Sequence, residues 1–264
     1  MTGDASHARA ARVDAWIAAL EERHLANLTR SELTRALRAL SSCYIERREK
    51  LAGGAALEGA GKRAAFALFY GPMHFLTVTA AVRALGLHDT SITSIHDVGC
   101  GTGVGGAAWA LASERPPAIA GLDRSAWAVA EANWTFRHFG IRGNASVGDA
   151  VHKFPSPQDS KSPHPAILLA YAVNELSDAA RDSLLEKVAD STSKGCGLLI
   201  VEPIAKRDRG WWPAWATRLA AAGAVEHEWR FPANLPQSLR QIAKGAGLNP
   251  QELTARTLSR EPAR

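Results

Sequence analysis

Ile95-His96-Asp97-Val98-Gly99-Cys100-Gly101-Thr102-Gly103 is the stretch that decides how the rest of the chain is read. Its first half is a short apolar run interrupted by a carboxylate, which suits a strand. Its second half alternates glycine with other residues. That suits a loop whose backbone must approach a bulky ligand, because a Cβ at those positions would obstruct it. Gly105 to Ser113 has helical character, so the loop feeds a helix N-terminus, whose free N–H groups favour an anionic group. A tight turn that binds nothing is the alternative, and three alternating glycines are costly without a ligand that needs them.

Outward from this loop, strands and helices alternate, the sign of a parallel sheet with crossover helices. Thr93 to Val98, Ala118 to Asp123, Asn144 to Val147, Ala166 to Tyr171 and Gly197 to Glu202 read as strands. Ser125 to Phe139 and Ser177 to Ser191 read as helices, with Ser177 a plausible N-cap. Phe154 to Pro165 is a polar loop punctuated by proline. Beyond Glu202 come a tryptophan-rich helix, a strand near Glu226 to Phe231, a helix from Pro236 to Ala246 and a last strand near Leu253 to Leu258.

Before residue 89 the pattern is helical: Val13, Ile17 and Leu20, then Leu33, Leu37 and Leu40. Thr29-Arg30-Ser31-Glu32 has the form of a capping box. Ala52 to Gly61 reads as a loop or hinge. Lys62 to Leu87 is helical again, with a break or new start expected at Gly71-Pro72 because proline lacks a backbone donor. The expected division is a helical region over 1–88, acting as a substrate lid or partner surface, and a ligand-binding domain over 89–264.

Composition bounds the possibilities. The 264 residues are 46% hydrophobic and 22% charged, which excludes global disorder. The longest apolar run, Ala166 to Val173, is far short of the ~20 residues that span a bilayer, so no membrane partner is expected. Three cysteines without a C-x-x-C pair fit neither a disulfide framework nor a zinc knuckle, so no metal is expected and a reducing cytoplasm fits. A net charge of +5 suits a polyanion such as RNA, and equally a surface of solvated arginines. Nothing in the sequence sets an oligomeric state.

The glycine loop, five β-α units and a terminal pair of strands together resemble the class I methyltransferases. The fold implied is α/β: a Rossmann-like, mostly parallel sheet with an antiparallel last strand and a helical N-terminal extension. The cofactor implied is S-adenosyl-L-methionine, with its carboxylate at the helix N-terminus beyond Gly99, Cys100, Gly101 and Gly103. Asp97 would lie near its positively charged amino or sulfonium end. Asp123, followed by Arg124, can accept both ribose hydroxyls. Asp149 and Ala150 stand where this fold commonly contacts the adenine, and Trp127 flanks it or belongs to the core. Gly101 to Gly106 also satisfies G-x-G-x-x-G, with Asp123 at the ribose-binding distance, so a dinucleotide is the alternative ligand. A carboxylate at Asp97 would sit badly beside a pyrophosphate.

Methyl transfer is an in-line displacement that needs alignment and dryness rather than a covalent intermediate. The segment Tyr171-Ala172-Val173-Asn174-Glu175-Leu176 lacks the prolines of exocyclic-amine methyltransferases. No cysteine is placed for attack on a pyrimidine ring. Asn174 and Glu175 are therefore the candidate catalytic pair, the amide to orient an acceptor and the carboxylate to act as base or bind a cation. Capping of the next helix is their alternative role. Tyr171 and Tyr70 are candidates for the cofactor mouth and His74 for the substrate side. Trp211 and Trp212, behind Lys206 to Arg209, could stack on and neutralise single-stranded RNA, or simply pack. Trp229 and Arg230 have the same two readings.

Tyr171 to Leu176 followed by Leu198-Leu199-Ile200-Val201-Glu202-Pro203 is similar to the methyltransferase-like family tied to small-ribosomal-subunit assembly, and Arg63 to Pro72 is loosely similar too. That resemblance implies contact with rRNA or the small ribosomal subunit. Members often carry cysteines after the fifth strand for an iron–sulfur centre; this chain has none after Cys196. The acceptor stays open between RNA, a small molecule, and none at all in a non-catalytic RNA-binding assembly factor.

Overall fold

The computed structural model of the protein describes residues 2–46, 57–154, 162–204 and 210–263. The chain divides into two compact units, residues 1–73 with 232–251, and residues 74–231 with 252–264.

The first unit is helical. Helices α1 (Thr2–Leu25) and α2 (Arg30–Glu46) bury the expected apolar stripes, Val13, Ile17 and Leu20 on one, Leu33, Leu37 and Leu40 on the other, and Trp16 is buried with the first. The capping box forms as its spacing requires: Thr29 N–H donates to Glu32 Oε2 at 2.8 Å, and Glu32 N–H donates to Thr29 Oγ1 at 3.2 Å. Most of the expected loop between Ala52 and Gly61 lies outside the described residues. Helix α3 (Ala60–Ala65) leads through a π-helical turn (Phe66–Tyr70) into α4 (Gly71–Ala84). The break expected at Gly71-Pro72 is thus a π turn, which absorbs the donor missing at Pro72 without ending the helical run. Residues 60–84 are long and apolar enough to cross a membrane by length and composition, yet 67% of that window is buried, as in a core helix. A further helix of this unit, α9 (Gln237–Gly245), has its last carbonyls capped by Arg38, which donates to Gly245 O at 2.9 Å.

The second unit is a seven-stranded sheet. Its strands are β1 (Ser94–Val98), β2 (Ala118–Asp123), β3 (Gly143–Val147), β4 (Pro165–Ala170), β5 (Gly197–Glu202), β6 (Val225–Pro232) and β7 (Glu252–Arg260). They lie in the order β3-β2-β1-β4-β5-β7-β6. β1 to β5 pair in parallel and β7 joins β5 antiparallel, with Val201 opposite Thr257. This is a Rossmann-like sheet, mostly parallel with β7 antiparallel, as expected from the sequence. One face carries Val98, Ile167, Leu169, Leu198, Ile200 and Leu258 against α7 (Asp178–Ser193) and α8 (Trp212–Ala220). The other receives α5 (Val104–Ala112), brought close by glycine: a Cβ on Gly106 would meet Ile119 and, at 2.8 Å, Asp97 Oδ2. Helix α6 (Ala126–His138) starts at Ser125 and α7 at Ser177, each serine accepting an N–H of the first turn.

Candidate active site

In an open parallel sheet a ligand crevice opens at the carboxyl ends of the strands, where the strand order reverses. Here that point is between β1 and β4. The loop after β1 and the loop after β4 meet there so closely that a Cβ on Gly99 would lie 2.6 Å from Ala172 Cβ.

The first loop is held by hydrogen bonds at nearly every residue. Gly99 and Cys100 N–H both donate to Leu122 O at 2.8 and 3.0 Å, and Gly103 N–H donates to Cys100 O at 2.8 Å. Gly101 N–H donates to Asp123 Oδ2 at 2.9 Å, while Ser125 N–H donates to Asp123 Oδ1 at 2.8 Å. Asp123 therefore pins the loop to the start of α6. Gly101 has φ +51° with nothing within 4 Å of an added Cβ, so its backbone angle demands glycine and the space beside it is open. Gly103 has φ +75°, and its Cβ would sit 2.9 Å from Ala132 and Phe136.

Asp97 is 1% exposed, and its Oδ2 accepts the Gly106 N–H at 2.9 Å. Burial raises its pKa from 3.8 to about 7 against that hydrogen bond, and neighbouring Asp123 adds to the rise. Burial also pushes the Cys100 thiol well up, helped by Asp97 and Asp123, so it is no nucleophile. Thr102 is 4% exposed, and its hydroxyl has no hydrogen-bond partner among the described residues.

Asp149 lies on the turn after β3, half-exposed. Its Oδ1 accepts from Val151 and His152 N–H and meets His152 Nδ1 at 2.9 Å. The His152 backbone bond leads in holding its carboxyl below the usual range. Ala150 beside it packs onto the core under α7 and α8.

Among the described residues Tyr171 is the one non-glycine residue with positive φ, at +59°. A side chain in that region is strained, and such strain concentrates at functional sites. Its ring stacks on His74 with centroids 3.7 Å apart and 11° between planes, and it bonds to Thr77. Burial lowers the His74 pKa to about 3 and raises that of Tyr171, so both rings are neutral near pH 7. Both nonetheless keep some accessible surface, as crevice-wall residues do. Glu175, on the 3-10 turn Val173–Glu175, is lifted to about 7 by burial, with Arg124 opposing and Asp123 adding. The second catalytic candidate, Asn174, donates through Nδ2 to Glu202 Oε2 and accepts from Trp211 Nε1 at 2.9 Å. Glu202 is wholly buried, and burial raises its pKa to about 8.

Asp97, the glycine loop, Asp123, Arg124, Tyr171, His74, Asn174 and Glu175 thus belong to one unit, around the ends of β1, β2 and β4. Trp212 is 4% exposed, donates to Glu226 at 2.6 Å and carries Arg256 over its ring at 4.3 Å, so its part is packing. Trp211 keeps accessible surface and packs edge-on against Trp212 and Trp215. The cations Lys206 to Arg209 lie outside the described residues. Tyr70 belongs to the first unit, in the π turn, half-buried beside Phe66 and Phe69 and bonded to Ser41. Trp229 stacks between His227 and Phe231 and donates to Thr257 Oγ1 at 2.9 Å. Among the described residues no group of three His, Cys, Asp or Glu side chains could hold a metal. Sequence reasoning missed Glu202 and Thr102. A lone carboxylate closing the apolar run Gly197–Glu202 was the available signal, the same one that marked Asp123.

No protein-family model and no curated protein matches the sequence. Solved structures do. The YcgJ protein from Bacillus subtilis is 15% identical at TM-score 0.45, over 70% of this chain and 99% of its own. A putative RNA methyltransferase from Pyrococcus horikoshii is 12% identical at TM-score 0.44, over 73% and 86%. The 1,6-didemethyltoxoflavin-N1-methyltransferase of Burkholderia thailandensis, solved with S-adenosylhomocysteine and its substrate, is 12% identical at TM-score 0.47, over 72% and 79%.

Proposed function

We propose that the protein is an S-adenosylmethionine-dependent methyltransferase whose reaction takes place in the crevice between the loops after β1 and β4. The observation that carries this reading is the glycine loop itself: left-handed at three positions, pinned by Asp123, open beside Gly101, and lying over a buried carboxyl at Asp97. The residues fit the cofactor. The unpartnered Thr102 hydroxyl and the α5 N-terminus suit a carboxylate. Asp97 suits a cationic group, which would hold it ionised despite its burial. Asp123 has lone pairs left for ribose hydroxyls. A dinucleotide is disfavoured by the carboxyl of Asp97 under the loop.

When bound, S-adenosylmethionine supplies an electrophilic methyl group open to in-line displacement. The chain's own contribution is placement and proton handling. His74 and Tyr171 offer an uncharged aromatic wall that excludes water. Glu175, with a pKa of about 7, is poised to take a proton from an attacking nitrogen or oxygen at neutral pH. The acceptor favoured is rRNA or a ribosome-associated component in the cytoplasm, because the net charge is +5 and the 171–176 and 198–203 segments resemble the ribosome-associated family. Incubation with methyl-labelled S-adenosylmethionine and separated RNA, protein and metabolite fractions tests this. Label in RNA supports the full reading, and label in metabolites alone overturns the acceptor. Salt-sensitive RNA binding without label in any fraction, from a folded sample, overturns the activity.

A further inference from the structure

The carboxylate that ends β5 lies outside the cofactor machinery just described, yet it accepts three hydrogen bonds from the turn after β4. Glu202 has no exposed surface, and a buried carboxyl is tolerated only where donors surround it. Its Oε1 accepts from Val173 N–H at 2.9 Å and Asn174 N–H at 3.3 Å, and its Oε2 from Asn174 Nδ2. Asn174 passes the connection on, since its Oδ1 accepts from Trp211 Nε1 at 2.9 Å. Arg256 stands opposite Glu202 in the β5–β7 register, with its guanidinium 4.3 Å from the Trp212 ring centre and 5.7 Å from that of Trp211.

The chemistry of this chain of bonds has one solution. Indole nitrogen only donates, and so does the Asn174 amide nitrogen. The amide oxygen must therefore face Trp211 and the amide nitrogen must face the carboxylate. Turning the amide over would set two donors against each other at Trp211, whatever the charge on Glu202. One Nδ2 hydrogen and one Oδ1 lone pair remain uncommitted, and Asn174 keeps accessible surface.

We infer that Glu202 is a positioning residue: it locks the Val173–Glu175 turn and the Asn174 amide in one orientation, and through that amide fixes the indole of Trp211. Its role is to present Asn174 and Trp211 to the methyl acceptor, and in that respect it rests on the crevice being a methyltransferase site. The β-sheet itself does not require it, since the apolar residues of β5 already pack the core.

An oxygen-for-nitrogen swap tests the relay. In Glu202→Gln the new amide nitrogen meets Asn174 Nδ2, donor to donor. In Asn174→Asp two carboxyl groups meet with no amide donor between them. The double variant Glu202→Gln with Asn174→Asp restores one donor and one acceptor at each contact with the same heavy-atom shapes, so it is expected to fold even if a single variant does not. The readout is the indole N–H resonance of Trp211 in 15N-labelled full-length protein, assigned with Trp211→Phe. It should move in each single variant and return in the double. In parallel, Glu202→Gln should lose at least tenfold in methyl incorporation while binding S-adenosylhomocysteine within threefold of wild type. An unmoved resonance in Glu202→Gln, a double variant that does not return, or a folded Glu202→Gln with wild-type incorporation each overturns the inference. Wild type that neither binds S-adenosylhomocysteine nor labels any fraction overturns the methyltransferase reading, while the resonance cycle still decides whether the relay exists.

Discussion

Asp97→Asn separates a residue kept for folding from one kept for a ligand. The side chain is buried under the glycine loop, and its bond to Gly106 N–H can be made equally well by an asparagine oxygen. What the substitution removes is the ionisable group. Burial, with Asp123 adding, raises the carboxyl from 3.8 to about 7, so the folded state holds a proton that the unfolded chain gives up. Stability of the wild type therefore falls as pH rises from about 4 to about 7, and the full loss is present above that. At about 1.4 kcal/mol for each tenfold change in proton affinity, the cost reaches an upper bound of about 4 kcal/mol. Urea unfolding of both proteins at pH 5 and pH 8 measures it. Asp97→Asn should exceed wild type by up to about 2 kcal/mol at pH 5 and by up to about 4 kcal/mol at pH 8, so that the gap widens by about 2–3 kcal/mol between the two. The same variant should bind S-adenosylhomocysteine at least tenfold more weakly, since a bond to a charged group is worth about 1.5–3 kcal/mol. A stability difference equal at both pH values, or unchanged affinity, would refute the reasoning that a buried charge is tolerated here for its ligand.

Three further outcomes follow from the geometry. Asp123→Ala removes the acceptor of both Gly101 and Ser125 N–H; thermal unfolding should show a loss of about 1–3 kcal/mol, and calorimetry at least tenfold weaker S-adenosylhomocysteine binding. Gly103→Ala puts a Cβ 2.9 Å from Ala132 and Phe136 at φ +75°, and should destabilise by about 2–4 kcal/mol in denaturant titration. Thr29→Ala opens the capping box of α2 and should cost about 1 kcal/mol of stability with S-adenosylhomocysteine affinity unchanged, since Thr29 belongs to the helical unit and the glycine loop to the other.

Local rules made much of the architecture legible in the sequence. The run into Gly99, the serines before α6 and α7, and the Thr29–Glu32 spacing each express one short-range constraint, and each appears in the structure as that constraint predicts. Features that depend on distant partners were not legible. Pro72 announces an interruption, but whether the helix stops or passes through a π turn depends on what packs around Phe66 to Tyr70. Nothing local to Ala233 or Leu239 says that the 232–251 segment groups with the N-terminal helices. The position of Tyr171 is visible in the sequence, and its φ of +59° is not. The sequence offers Asn174 as an acceptor-orienting amide or a helix cap, with no sign of its two partners, Glu202 and Trp211, which are 28 and 37 residues away. Trp212 shows the converse: beside cations in sequence it resembles a stacking residue, and in the fold its ring is covered by Arg256.

Calorimetric titration of the full-length protein with S-adenosylhomocysteine at pH 8, where Asp97 is ionised, tests the central claim most directly. The account predicts saturable one-to-one binding that weakens at least tenfold in both Asp97→Asn and Asp123→Ala. A folded wild-type sample that gives no binding heat at several temperatures, or variants that bind as tightly as wild type, would contradict it.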